Sequence, residues 1–180
     1  MLRIMMKVDE RESWNGEEMV RLLVDAGADI ARDPIRAMML SLAADKVPPL
    51  LPWLSHVDAV LGGEVAIELL RRHPGHHGIA AAALLVLLDT ELLPELAHFA
   101  QSGDAEVRKN FAQACGQLGN LEQTQLLVKL MGDPVWWVRY RAAQALLKLK
   151  GMDQARLEEI RASLDDRFAR DMFDQARAEA

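Results

Sequence analysis

Residue types that favour β-structure are scarce in this chain of 180 residues. Thr occurs only at positions 90 and 124, and with Val and Ile the β-branched total is 20, whereas Leu and Ala together supply 54 residues. β-Branched side chains lose rotamer freedom in helices, and Leu and Ala do not. The composition therefore predicts an all-α protein.

The chain has one cysteine and no long apolar run. Cys115 alone excludes an internal disulfide and a thiolate metal cluster, and we expect a buried, inert thiol because it lies in an apolar helical stretch. The longest apolar run, residues 79–88, is half the length of a membrane-spanning helix, and residues 1–9 lack the apolar core of a signal peptide. We expect a soluble, cytoplasmic chain that reaches the inner face of a membrane only through a partner or a segment missing at its N-terminus.

The chain also has fewer basic than acidic residues, 21 against 27. The net charge is −6, and all of it arises from residues 1–100, because residues 101–180 carry 12 basic and 12 acidic side chains. Proteins that bind nucleic acid through phosphate contacts need a basic surface. The charge balance therefore predicts no nucleic-acid partner.

Gly, Pro and Asp divide the chain into short segments with a helical pattern. Asp33-Pro34 and Asp133-Pro134 are each predicted to start a helix, because Asp caps helix N-termini and the first helical position tolerates Pro. We predict a charged and disordered lead-in over residues 1–15, followed by helices near 16–27, 33–45, 48–56, 59–73, 77–88, 91–101, 104–118, 121–132, 134–149, 153–164 and 166–178.

An internal repeat with a period of 31 residues is the strongest signal in the sequence. The shift places Ser102–Arg108 on Asp133–Arg139, and the helices that follow keep Ala and Leu at matching positions. Such a unit has an apolar face that only a neighbouring unit can bury. We therefore predict one stack over residues 16–180, with its clearest repeats at 90–118 and 121–149 and a more polar C-terminal cap at 153–180.

Residues 133–149, DPVWWVRYRAAQALLKL, resemble a HEAT repeat of the short bacterial kind, also called the phycobilisome-lyase type. The resemblance implies a right-handed α-solenoid of about five stacked antiparallel helix hairpins. It also implies a ladder along the turns between repeats, in which an Arg of one repeat reaches an Asp of a neighbour. The ladder residues that match this pattern are Asp104, Arg108, Asp133 and Arg139.

The sequence WWVRYR contains candidates for a partner-binding surface, which are Trp136, Trp137, Tyr140 and Arg141. Trp, Tyr and Arg are over-represented at the energetic centres of protein interfaces. Because consecutive helical residues point about 100° apart, we expect one tryptophan to pack in the seam between repeats and the other to be exposed. The alternative is that both tryptophans pack against adjacent repeats.

Other polar clusters do not have the spacing of a catalytic or metal site. His73, His76 and His77 surround one turn, but no Cys, Asp or Glu lies between Arg71 and Leu88 to complete a metal site. Acidic residues occur as sequence neighbours, which diverge on a helix, and the sequence has no phosphate-binding loop or nucleophile motif. We therefore predict no catalytic residue, no metal and no cofactor.

These patterns favour a non-catalytic scaffold or adaptor that binds another protein. A narrower resemblance, carried by WWVRY and by residues 166–172, is to bacterial HEAT-repeat proteins encoded beside envelope or exopolysaccharide glycosyltransferases. Those proteins are often tethered by an N-terminal membrane helix, which this chain does not contain, so it represents a soluble relative or a piece of a longer protein. A membrane glycosyltransferase or envelope component is then the expected partner.

An enzyme is the alternative from another functional class. Its basis is a resemblance to HEAT-like alkylpurine DNA glycosylases, which hold DNA in a basic concave groove. In that hypothesis Trp136, Trp137, Arg139 and Arg141 would contact the DNA. The net charge of −6 argues against it.

Overall fold

The computed structural model describes residues 28–180, so the predicted lead-in and the predicted helix at 16–27 lie outside the described residues. Within this range the chain forms nine α-helices, three short 3-10 segments and no strand. The α-helices are α1 (Ala28–Ser41), α2 (Leu50–Val57), α3 (Ala59–Arg72), α4 (His77–Val86), α5 (Ala105–Leu118), α6 (Thr124–Leu130), α7 (Trp136–Lys148), α8 (Gln154–Ser163) and α9 (Arg167–Ala178). The 3-10 segments are Thr90–Leu92, Glu95–Gln101 and Leu121–Gln123.

The helices pack in chain order and bury two connected apolar clusters. One cluster lies among α1 to α4, and the other extends from α4 to α9. Helix α4 belongs to both, with Ile79 and Ala83 in the first cluster and Ala80 and Leu84 in the second. Apart from α8, which has no buried residue, the helices bury apolar side chains against their neighbours, and the all-helical, repeating architecture confirms the prediction of an all-α solenoid.

The 31-residue period recurs in the packing of α5, α7 and α9. Helix α7 lies between the other two and contacts both. The turns that follow α5 and α7 are joined by a hydrogen bond from the Lys150 N–H to the Gly119 carbonyl, two positions that are one period apart. Repeated sequence therefore produces repeated turns that stack directly on each other.

A glycine allows α5 and α7 to approach closely. A Cβ atom at Gly116 would lie 2.8 Å from Cα and 2.9 Å from Cβ of Ala145. Because Ala145 also has a small side chain, the two backbones meet with little between them. This contact is the point of closest approach between the two helices.

Several of the predicted helix boundaries or types differ from the structure. Residues 91–101 form two 3-10 segments separated at Leu93-Pro94, because the Pro94 nitrogen has no hydrogen to donate to an α-helical bond. Pro34 lies inside α1 and does not begin it, since the burial of Ile35 and Met39 holds this helix in place. Helix α7 begins at Trp136 and has Val135 as its N-cap residue, two positions after the predicted start.

No helix within residues 28–180 combines the length and the apolar character needed to cross a membrane.

Candidate protein-interaction surface

Three aromatic side chains stack on the first turns of α7. The rings of Trp136 and Tyr140 are nearly parallel, with centroids 5.2 Å apart and planes 9° apart. Trp137 contacts Trp136 edge-on at a centroid distance of 4.4 Å and lies 6.3 Å from Tyr140. We call Trp136, Trp137 and Tyr140 the aromatic cluster.

Both tryptophans of the aromatic cluster are exposed, so the expectation that one of them packs in the seam is wrong. Trp136 is 38% exposed and Trp137 is 58% exposed. The buried side of α7 is formed by Val138, Ala142 and Leu146, which follow each other at intervals of four residues. Trp136 and Trp137 precede this stripe and point away from it, so they pack on each other.

Tyr140 also ties α7 to the end of α9. Its hydroxyl donates a hydrogen bond to Oε2 of Glu179, and Gln175 donates to the other oxygen of this carboxylate at 3.0 Å. The carboxylate raises the pKa of Tyr140 above its ordinary value, and the hydroxyl lowers the pKa of Glu179. The orientation of the Tyr140 ring is therefore fixed from two sides, by Trp136 and by Glu179.

Arg141, the fourth predicted contact residue, lies beside a cavity between α5 and α7. Its Nη1 donates to Oε1 of Gln144 at 2.9 Å, and its side chain is half-buried. The cavity has a volume of about 170 Å³. Its lining consists of Gln113, Gly116, Gln117, Arg141, Gln144, Ala145 and Lys148.

Arg108 and Asp133, two of the predicted ladder residues, form an ion pair between consecutive repeats. The Nε–Oδ2 distance is 2.6 Å and the Nη2–Oδ1 distance is 3.0 Å. The Asp133 side chain is 5% exposed and that of Arg108 is 12% exposed. The hydrogen bond to Asp133 raises the pKa of Arg108 above its ordinary value. Asp133 also accepts the N–H of Val135, so it holds both the neighbouring repeat and the turn before α7.

Arg139 lies one period after Arg108 but bonds to backbone oxygens, unlike the ladder residue expected there. Its Nη1 donates to the carbonyls of Asp133 at 2.7 Å and of Pro134 at 3.2 Å. The position equivalent to Asp133 in the next repeat is occupied by Leu164, which has no carboxylate to offer. Arg139, which the DNA-binding alternative expected to contact DNA, is therefore held against its own turn.

One arginine contact occurs in all three C-terminal repeats. Arg108, Arg139 and Arg170 each donate from Nη1 to the carbonyl six residues earlier, at distances of 2.7 Å, 2.7 Å and 2.9 Å. The acceptors are Ser102, Asp133 and Leu164, which are themselves one period apart. The turn before each of α5, α7 and α9 is thus held in the same way.

Two further pairs connect an earlier basic residue to the aspartate that caps a later helix. Arg32 makes a two-point ion pair with Asp58, the N-cap residue of α3, with an Nε–Oδ2 distance of 2.6 Å. The Arg32 hydrogen bond lowers the pKa of Asp58. His77, one period before Arg108, has its Nδ1 3.7 Å from Oδ2 of Asp104, which caps α5.

Phe168 is a further exposed aromatic residue that the sequence analysis did not include among the contact candidates. It is 66% exposed and lies in the first turn of α9. It is one 31-residue period after Trp137, and α7 and α9 are in contact. Equivalent positions on packed helices are about 10 Å apart. The signal was present in the alignment of the repeats, in which residue 168 falls directly on residue 137.

The cysteine and two of the histidines considered in the sequence analysis are buried or held by contacts within the fold. Cys115 is fully buried, and burial raises the pKa of its thiol to about 12. His76 caps α4 by accepting the Ile79 N–H at 3.2 Å, while His77 faces Asp104. Among residues 28–180 no group of three or more His, Cys, Asp or Glu side chains is arranged to hold a metal ion.

Comparison with known proteins agrees with this geometry. A family model described as HEAT repeats matches residues 47–147 and, in a second overlapping stretch, residues 92–179. No curated protein and no solved structure matches the chain.

Proposed function

Because the chain belongs to the HEAT-repeat family, we propose that it is a non-catalytic scaffold that binds a partner protein through the aromatic cluster on α7. HEAT repeats commonly serve as protein-interaction scaffolds, since stacked helix pairs present an extended surface. The observation that carries the proposal is the exposure of Trp136 and Trp137 beside the half-buried Tyr140. Exposed aromatic groups of this size bury large apolar areas when a partner covers them.

The aromatic cluster is also pre-organised for binding. Trp136 stacks on Tyr140, and Tyr140 is hydrogen-bonded to Glu179. The turn that precedes these residues is held by Arg139 and by Asp133. Side chains that are already ordered lose less conformational entropy on association, so more of the contact energy remains as affinity.

Phe168 and Arg141 extend the proposed surface to either side. Phe168 repeats the position of Trp137 on α9, and Arg141 follows Trp137 by one turn of α7. Aromatic and Arg side chains in this combination are typical of the residues that dominate binding energy. A partner that covers all three positions would contact α7 and α9 together.

The specific partner that we propose is a bacterial envelope or exopolysaccharide glycosyltransferase, or a component of its membrane assembly. The support is the sequence resemblance of WWVRY and residues 166–172 to proteins encoded beside such enzymes. These two segments lie on α7 and α9, which contact each other and bear the aromatic cluster and Phe168. The resembling residues thus coincide with the proposed surface.

Affinity capture from the native host, including the detergent-solubilised membrane fraction, tests this function. The tagged chain is compared with a Trp136→Ala/Trp137→Ala double variant and with a Val60→Ala control, an exposed position on α3. We expect one partner to be enriched by the wild type and the control and lost with the double variant, because removing both anchors costs more than about 2 kcal/mol. Equal recovery with all three forms would contradict the proposed surface, and recovery of a glycosyltransferase would support the specific partner.

A further inference from the structure

The cavity between α5 and α7 has a small-residue floor and long polar walls. Gly116 and Ala145 form the floor, where the two helices approach most closely. The walls repeat with the 31-residue period, because Gln113 corresponds to Gln144 and Gln117 corresponds to Lys148. The volume of about 170 Å³ accommodates a side chain of a bound segment.

Cationic and amide groups line this cavity without any carboxylate. Arg141 and Lys148 supply positive charge, and the lining includes no Asp or Glu. Among the described residues, neither Arg141 nor Lys148 has a carboxylate oxygen within 4.0 Å. Only one Arg141 nitrogen makes a hydrogen bond, to a neutral amide, so the guanidinium keeps donors for a ligand. In a chain with a net charge of −6, this is a local positive site.

The α7 residues of the cavity lie on the same side of this helix as Trp137. Trp137, Arg141, Gln144 and Lys148 follow each other on α7 at spacings of four, three and four residues, which places them along one side of the helix. Trp137 is at the N-terminal end of this stripe and Lys148 is at its C-terminal end. A bound segment that covers Trp137 therefore passes over the cavity within one or two turns.

We infer that the α5–α7 cavity binds the carboxylate side chain of an acidic segment in the partner protein, next to an apolar residue that covers Trp137. The inference rests on the proposed function, because it specifies the chemistry of the partner that the aromatic cluster binds. A guanidinium group binds a carboxylate through paired hydrogen bonds, and the amides of Gln113, Gln117 and Gln144 offer donors and acceptors to a peptide backbone.

Another cavity among the described residues lacks this charge pattern and provides the control. It has a volume of about 280 Å³ and lies near α1 and α3. Its lining mixes Arg36 and Arg71 with Glu64, Glu68 and Asp89. Acidic side chains share this lining with the two arginines. Arg71→Gln therefore makes the same charge change as Arg141→Gln at a site whose own carboxylates disfavour another one.

A random peptide library displayed on phage and selected on the full chain tests the inference. We expect the enriched peptides to share an Asp or Glu close to an apolar residue. A synthetic copy of one such peptide should bind the Arg141→Gln variant about tenfold more weakly, and the Lys148→Gln variant more weakly as well, with Arg71→Gln unchanged. Replacing the peptide's Asp or Glu by Asn or Gln should weaken binding to the wild type by about the same factor. The two changes should not add, so the amide peptide should bind Arg141→Gln no more weakly than the acidic peptide does.

Each other outcome overturns the inference. No enrichment, enriched peptides without acidic residues, or equal affinity for wild type and Arg141→Gln would contradict it, provided that thermal melting shows each variant to be folded. Tighter, Arg141-dependent binding of a single-stranded oligonucleotide would show a phosphate site. If the natural partner is lost with Trp136→Ala/Trp137→Ala but is retained with Arg141→Gln, the proposed function stands and the carboxylate site fails.

Discussion

Arg108 of one repeat and Asp133 of the next are joined by two hydrogen bonds, with an Nε–Oδ2 distance of 2.6 Å and an Nη2–Oδ1 distance of 3.0 Å. The same guanidinium holds the Ser102 carbonyl at 2.7 Å, and the same carboxylate holds the Val135 N–H at 2.8 Å. Four polar groups from two turns are thus satisfied at one point. The pair fixes the position of α7 relative to α5, and with it the position of the aromatic cluster.

Arg108→Met should lower the free energy of unfolding by about 3 kcal/mol, because it leaves the Asp133 carboxylate buried without its counter-charge. Chemical denaturation followed by circular dichroism measures the change. Arg156→Met is the matched control, since Arg156 pairs with Asp153 on the surface and such pairs contribute less than about 1 kcal/mol. Similar losses of unfolding free energy for both variants would show that the buried Arg108–Asp133 pair stabilises the fold no more than a surface pair does.

Gly116→Val should destabilise the chain by about 2 kcal/mol, because the added side chain enters the close contact with Ala145. Thermal and chemical unfolding measure the loss. Gly103→Val is the control, since a Cβ at that glycine would have no atom within 4 Å beyond its adjacent residues. If Gly116→Val is tolerated as well as the control, α5 and α7 are not in close contact.

The pKa of Tyr140 should be above its ordinary value of about 10, because its hydroxyl donates to the Glu179 carboxylate. Tyr140 is the only tyrosine in the chain, so ultraviolet absorbance during alkaline titration reports it directly. Glu179→Gln should return the pKa toward about 10. An unchanged titration in this variant would mean that the hydrogen bond is absent in solution.

The same pair contributes stability within a pH window. The raised pKa of Tyr140 gives a contribution that is complete below its unfolded pKa and is lost as pH rises through the folded value. The lowered pKa of Glu179 gives a contribution that is present above its unfolded pKa and is lost as pH falls through the folded value. The stability difference between wild type and Glu179→Gln should therefore be greatest from about pH 5 to about pH 10 and smaller on either side.

Phe168→Ala should weaken partner binding by about fivefold or more while leaving stability nearly unchanged, because Phe168 is 66% exposed. The affinity for the captured partner, measured by biolayer interferometry, gives the effect. Trp53→Ala removes another exposed aromatic side chain, on α2, and should leave that affinity unchanged. An effect of Trp53→Ala equal to that of Phe168→Ala would move the contact surface away from α7 and α9.

The fold was largely predictable because its signals are local. Leu and Ala patterns, with the capping residues Asp104 and Asp153, predicted most helices between residues 48 and 178 to within two or three positions. Two of the wrong predictions concern prolines, whose effect on a helix depends on the tertiary packing around them. Pro94 divides a segment with a helical apolar pattern into 3-10 turns, whereas Pro34 is accommodated inside α1 because Ile35 and Met39 are buried.

The geometry of the candidate surface was only partly predictable. The sequence identified Trp136, Trp137 and Tyr140, but an expectation from helical geometry alone placed one tryptophan in the seam between repeats. The repeat alignment carried better information for Trp137, since it places this residue on Glu106, and a charged side chain at the equivalent position favours the surface. The bond from Tyr140 to Glu179 joins residues 39 positions apart, which a periodic pattern does not report.

Site-specific photo-cross-linking at residue 137 in the native host tests the central claim most directly. A photoreactive phenylalanine analogue replaces Trp137 in one strain and Val60, exposed on α3, in another. We predict that irradiation joins position 137 to one partner protein and that position 60 gives no such adduct. The absence of an adduct at position 137, or the same adducts from both positions, would contradict the claim that the aromatic cluster is where this scaffold binds its partner.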